Sequence, residues 1–304
     1  MKMNPKQGKC HLTMEQRILK ISDRWIKLHS SLDEKSRARD VKLSQPLLSE
    51  AKSKTSNDDK LFDDGDSNDE KYEAVGSPGE IISLRLQEEF RSIVAGCLFV
   101  ARKCRFDIQV TVAYLSTKVM KANWSDFIKL QKLISYLHFS IDLPLILRCQ
   151  GIFAEVFVDA SFATHKYSRS HTGCAVAIGG AFVHCRSTVQ GGTSSKSSCE
   201  AEIRAMSDSA GMILWINQFL EEVGFTDLPP VHIHEDNESS ITLFKTGFPK
   251  NHASKHYAPR YFFLTSLLEE KLVTISHIST ALQIADMLTR VWWVRNFLDS
   301  GIRS

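Results

Sequence analysis

Ile152-Phe153-Ala154-Glu155-Val156-Phe157-Val158-Asp159 is an almost continuous apolar run that ends on a carboxylate. Following Gln150-Gly151, it reads as a buried central strand. A charge in that place is very costly unless it is paired, hydrogen-bonded or bound to a metal. Asp159 is therefore the first candidate for chemistry.

Working outward, Gly173 to Ala181 reads as a second strand, with Gly179-Gly180 as a hairpin turn into Phe182 to Thr188. A long helix is predicted from about Cys199 to Val223, stopped by Gly224. A short strand (Val231 to Glu235) follows, then a helix from Asn237 and another through Tyr261 to Lys271. A strand (Leu272 to Ile278) and a final helical region from Gln283 close the domain. This order predicts an α/β layered domain over residues 151–304.

Four further acids sit at element ends. Asp236 follows the short strand as Asp159 follows the first, Asp286 opens the last helical region, and Glu200 and Glu202 begin the long helix. Singly, each has a bland reading as a turn or helix-terminus charge. Together they could form one cluster, and carboxylates without Cys or His suit hard cations such as Mg²⁺. The apolar stripe Ile203, Met206, Ala210, Ile213, Leu214, Leu220 separates the two glutamates. Glu202 lies roughly 60° from its mean direction and Glu200 roughly 100°, so Glu202 borders the sheet-facing side and is the better candidate.

Upstream, residues 81–150 read as a small helical module of three amphipathic helices, with Asp107 the expected N-cap of the second. Residues 1–80 read as a charged, flexible segment. Residues 1–55 carry a local +7, and 56–80 a local −7 that reads as a solvated acidic linker. These cancel in the total. The 304 residues hold 38 Lys+Arg against 35 Asp+Glu, a net +3 that does not announce a nucleic-acid binder. A 43% hydrophobic, 24% charged composition excludes a collagen-like, disulfide-scaffold or wholly disordered chain. The seven scattered cysteines include no Cys-x-x-Cys pair, which favours reduced thiols in an intracellular, cytoplasmic setting over a zinc ribbon. No secretory signal and no membrane span are expected.

Asp159-Ala160-Ser161-Phe162, Arg169-Ser170-His171-Thr172-Gly173 and Ser197-Ser198-Cys199-Glu200-Ala201-Glu202 follow one another in order. Asp236-Asn237-Glu238-Ser239, Lys255-His256, Arg260-Tyr261-Phe262-Phe263 and Gln283-Ile284-Ala285-Asp286-Met287-Leu288-Thr289 complete the series. The set resembles the ribonuclease H domain of copia-type LTR retrotransposon Pol polyproteins. Phe90-Arg91-Ser92-Ile93-Val94-Ala95-Gly96 and Tyr114-Leu115-Ser116 resemble the segment connecting polymerase to ribonuclease H in the same polyproteins. The resemblance implies a ribonuclease H-like fold, a mixed five-stranded sheet flanked by helices. It also implies a metal site of Asp159, Glu202, Asp236 and Asp286 holding two Mg²⁺ ions, with Mn²⁺ as a substitute. One ion would generate the attacking hydroxide and the other would stabilise the leaving ribose oxygen. The implied substrate is the RNA strand of an RNA–DNA hybrid, told apart by its 2′-OH and groove shape. A polymerase domain encoded upstream is the implied partner. Candidate phosphate contacts are Lys166, Arg169, Arg186 and Lys196.

Departures from the pattern fall at Cys185-Arg186-Ser187-Thr188-Val189-Gln190, where a Lys-containing run is usual, and at Tyr257-Ala258-Pro259, where Pro259 disfavours helix just before Arg260. No hydrophobic-Asp-Asp turn occurs, so polymerase activity is not expected. His232 and His234, His252 and His256 read as structural or surface residues, and His277 as core packing, with assistance to product release the alternative. Two functions stay open: a Mg²⁺-dependent ribonuclease H, or a decayed or co-opted fragment that only binds nucleic acid or folds.

Overall fold

The computed structural model describes residues 2–4, 9–31, 80–246 and 258–290. Backbone contacts divide the chain into two compact units, Leu12–Leu145 and Met1–His11 with Ile146–Ser304.

The first unit is helical. The short strands β1 (Lys2–Asn4) and β2 (Lys9–Leu12) fall almost wholly with the second unit, and the first consists of α1 (Glu15–Ser30), α2 (Leu84–Lys103), α3 (Gln109–Lys118) and α4 (Trp124–Phe139). Helix α1 corrects the expectation of a flexible segment for residues 15–30. Its Ile18, Ile21, Trp25 and Leu28 form a buried stripe, and Trp25 meets Phe127 of α4 at 4.8 Å between ring centroids. The Lys/Arg-rich count hid this period of apolar residues. The acidic stretch at 56–79 lies outside the described residues.

Asp107 is not an N-cap. It lies in a 3₁₀ turn (Phe106–Ile108), and Ile108 precedes α3. Its carboxylate instead receives the Arg105 guanidinium at 2.7 Å and the Tyr136 hydroxyl at 2.6 Å. With Arg105 1% exposed, this pairing is what allows a guanidinium inside the helical core.

The second unit holds the sheet. After β3 (Leu145–Arg148) come β4 (Ala154–His165), β5 (Arg169–Ile178), β6 (Ala181–Val189), α5 (Ser198–Glu222), β7 (Val231–Glu235), α6 (Glu238–Thr246), α7 (Ala258–Glu269) and β8 (Val273–His277). The five-stranded order is β6-β5-β4-β7-β8, with β4, β5 and β6 antiparallel and β4, β7 and β8 parallel. This is the mixed α/β sheet expected of a ribonuclease H-like fold. Strands β1, β2 and β3 form a separate three-stranded sheet. Val156, Val158, Ile233 and Ile275 pack with Ile203, Met206 and Ile213 of α5 and Phe244 of α6 in one core.

Three local expectations change. Strand β4 runs to His165, so Asp159 lies inside the strand rather than at its end. Helix α7 begins at Ala258 despite Pro259, which sits in the first turn where its missing N–H costs nothing. The last region is a 3₁₀ segment, Ile284–Leu288, rather than an α-helix.

That 3₁₀ segment packs on β4, β5 and β6. Gly173 permits it: a Cβ there would lie 2.7 Å from the Ala285 carbonyl oxygen and 2.9 Å from Leu288 Cβ. Gly173→Ala is expected to destabilise the domain by ~1–3 kcal/mol. Urea unfolding with an unchanged midpoint would contradict this account of the docking.

Candidate metal centre

Continuing the parallel register of β4 with β7, Phe157 opposite His234, by two residues brings Asp159 level with Asp236. Helix α5 packs against β4 and β5 and supplies Glu202 from its first turns. Ligand oxygens of Asp159, Glu202 and Asp236 all lie within 4.8 Å of one another. Glu200 is engaged elsewhere: its carboxylate accepts the Lys196 N–H at 2.8 Å while its own N–H donates to the N-cap Ser197 hydroxyl. Capping uses up the one glutamate and leaves the other facing the sheet.

Asp286 is not among the three acids of that 4.8 Å set. It is buried beside Asp159, whose proton affinity its charge raises, but its Oδ1 lies 3.0 Å from Arg290 Nε. The structure thus joins three of the four expected acids and gives the fourth a cation of its own.

Neighbouring groups hold the cluster. The Thr289 hydroxyl donates a short hydrogen bond to Asp159 Oδ2, and Thr280 donates to Asp236 Oδ2 at 2.9 Å. Gln283 Nε2 donates to the Val158 carbonyl at 2.9 Å, tying the segment that carries Asp286 to the central strand. Arg204 donates to the carbonyls of Thr193 and Gly191, bracing the loop before α5. None of these supports was singled out from sequence.

One further acid was missed. Glu235 ends β7 completely buried, on the same face as Val231 and Ile233, and accepts the Asn237 N–H at 3.2 Å. The signal was available, since strand alternation places residue 235 with the core-facing valine and isoleucine. Burial pushes the Glu235 and Glu202 carboxyls well above the ordinary range, and each one's neighbouring acids push it further. Asp159 is raised to about 6, chiefly by burial, with the charges of Asp286 and Asp236 adding and the Thr289 hydrogen bond opposing. The donor set fits a hard divalent cation: all oxygen, crowded, and with Glu202 Oε2 buried without a hydrogen-bond partner among the described residues.

The other expected residues are distributed differently. Arg169 donates to the Gln190 carbonyl at 2.6 and 3.0 Å, so it braces the fold. Arg186 donates to the Asp208 carbonyl at 3.3 Å, Lys196 is exposed, and the Lys166 side chain lies outside the described residues. His232 bonds Thr274 and Ser276, and His234 bonds Glu155 while stacking on Phe157 at 4.4 Å. His277 is exposed at the end of edge strand β8 rather than packed in the core. His252 and His256 fall outside the described residues. No helix among the described residues is long and apolar enough to cross a membrane.

The chain is 28% identical over 206 residues to the retrovirus-related Pol polyprotein from transposon RE2 of Arabidopsis thaliana, covering 66% of this chain and 14% of that one. It is 32% identical over 96 residues to the counterpart from transposon TNT 1-94 of Nicotiana tabacum, 31% of this chain and 7% of that one. The chain is similar to the Pol polyproteins of copia-type retrotransposons and spans a small part of their length. Among solved structures, LC11-RNase H1 in complex with RNA/DNA hybrid matches 44% of this chain and 92% of its own at 16% identity, with a TM-score of 0.34. No protein-family model matches the sequence.

The raised carboxyls make a pH prediction. A group whose pKa is higher folded than unfolded contributes stability that is fully present below its unfolded value and lost as pH rises through its folded value. For Asp159 that window runs from roughly 4 to about 6. In chelator, Tm is expected to fall as pH is raised from about 5 to about 7.5. Mg²⁺ or Mn²⁺ at roughly 100 times its Kd should restore ~2.7 kcal/mol at the upper pH. Glu235→Gln should raise the metal-free Tm at neutral pH. A flat pH profile in chelator with no metal-induced shift would contradict the cluster.

Proposed function

We propose that this domain is a divalent-metal-dependent ribonuclease H that cleaves the RNA strand of RNA–DNA hybrids, working beside a polymerase domain of the same polyprotein. The observation that carries the reading is the convergence of Asp159, Glu202 and Asp236 oxygens within 4.8 Å, from three elements far apart in sequence. Asp286 is the fourth proposed ligand, reached from the 3₁₀ segment next to Asp159.

When bound, two Mg²⁺ or Mn²⁺ ions supply Lewis acidity to a water nucleophile and to the departing ribose oxygen. The chain's own residues do the rest. Asp159, with one oxygen held by Thr289, has its carboxylate orientation fixed before any ligand arrives. Asp236 is held by Thr280 in the same way. Glu202 and Glu235, whose ionisation burial resists, would add negative charge on the core side once a divalent cation offsets that cost. Arg290, by pairing with Asp286, occupies that carboxylate until a competing cation displaces it.

That ion pair also favours a second reading, a hybrid-binding module without cleavage. A labelled RNA–DNA hybrid separates the two. Cleavage of the RNA strand alone in Mg²⁺ or Mn²⁺ is expected, with Asp159→Asn, Glu202→Gln and Asp236→Asn each lowering kcat by roughly 100-fold or more, about 2.7 kcal/mol or greater. Arg290→Ala should lower the metal concentration needed for half-maximal rate. Hybrid bound but left intact at every metal concentration would establish the second reading instead.

A further inference from the structure

The joint between β4 and β5 is built against the preferences of its residues. Lys166-Tyr167-Ser168 connects the strands, and Ala163, Tyr167 and Ser168 have φ of +56°, +61° and +53°. Glycine or asparagine adopts this backbone at little cost, whereas a bulky tyrosine does so only where its surroundings impose it. Burial is not what imposes it, because Tyr167 is 79% exposed.

Polar contacts hold the tip in place. Ser194 Oγ donates to the Tyr167 carbonyl at 2.6 Å, and the Ala163 N–H donates to Ser170 Oγ at 3.1 Å. Behind them His165 Nε2 meets His171 Nδ1 at 2.8 Å, and His171 Nε2 meets Ser187 Oγ at 2.7 Å. Ser194 belongs to the loop that leads into α5 and Glu202, while β4 carries Asp159, so the tip is anchored to two of the elements that build the acid cluster. Phe162, 42% exposed, lies on the same hairpin. The result is an outward aromatic ring on a pre-ordered support, which loses little freedom on binding a flat partner.

We propose that Tyr167 is a stacking platform for an unpaired nucleobase flanking the hybrid. Inside a duplex both faces of every base are covered, so an exposed ring finds a base face only at an end or on a single strand. The site therefore favours a junction where hybrid meets single strand over a blunt or internal hybrid. The proposal rests on the hybrid reading of the acid cluster, but stacking itself needs neither metal nor catalysis.

Fluorescence anisotropy of the full chain in chelator tests it, with a blunt hybrid, the same hybrid carrying an RNA overhang or a DNA overhang, and oligouridine as probes. At least one overhang should bind roughly 5- to 150-fold more tightly than the blunt hybrid, the worth of one stacked base, and the two arms identify the strand. Tyr167→Asn, which suits the left-handed backbone, should abolish the preference at an unchanged or higher Tm, and Tyr167→Trp should keep it. Asp159→Asn should abolish cleavage yet retain the preference. Equal binding of blunt and overhung hybrids by the wild type, a preference that survives Tyr167→Asn, or no binding to any probe would overturn the proposal. Absence of cleavage with the Tyr167-dependent preference intact would overturn the ribonuclease reading alone.

Discussion

Like charges in a low-dielectric place are the constraint on which this domain is built. Asp159, Glu202 and Glu235 are each buried, and Asp236 stands beside them. Desolvation and mutual repulsion both resist ionisation there, which is why the first three are raised. A fold selected only for stability would not gather carboxylates at the joint of two parallel strands and a helix. The core of Val156, Val158, Ile203, Met206 and Ile233 must outweigh that repulsion, and it lies directly beneath.

The surrounding groups are arranged around the same problem. Neutral donors, Thr289, Thr280, Gln283 and the Asn237 N–H, reach the acids or the strands that bear them. The absence of a side chain at Gly173 lets the Asp286 segment lie against the sheet. Among the described residues the nearby cation is Arg290, which pairs with Asp286 and partly offsets the rise at Asp159. His171 is held near 3 by burial and by His165, so it stays neutral and adds no charge to the interior. These groups orient the cluster without neutralising Asp159, Glu202 and Asp236, which is the condition a metal centre requires.

How much of this was legible depended on whether a residue announces itself by pattern or by partner. The apolar run before Asp159 announces a buried strand, although that strand continues to His165, and the short strand before Asp236 stands where expected. Separating Glu202 from Glu200 needed only helical angle, and the capping role of Glu200 accounts for the other position. Glu235 obeyed the same alternation, but an acid on a core face contradicts the expectation that core faces are apolar, so pattern alone passed over it. Thr289, Gln283 and Arg204 act across 130, 125 and 11–13 positions, and no local period encodes such partners. Helix α1 was masked by composition, because a count of Lys and Arg ignores which face carries them. Asp107 shows the reverse error, a plausible cap whose side chain is claimed by a buried arginine.

The chain's mild net charge of +3 also takes on a mechanical sense. An uncompensated cluster of acids repels a phosphate backbone, so on the ribonuclease reading divalent cations tighten the hold on substrate at the acids and substrate tightens the hold on the cations. Each lowers the electrostatic cost of the other, and linkage makes that coupling reciprocal. Strong overall basicity would hold a hybrid in place with or without metal, and so weaken the coupling. A near-neutral domain instead leaves attraction to the cations at the cut and contact to neutral devices such as an aromatic ring. Productive binding then depends on a filled metal site, not on charge spread over the surface.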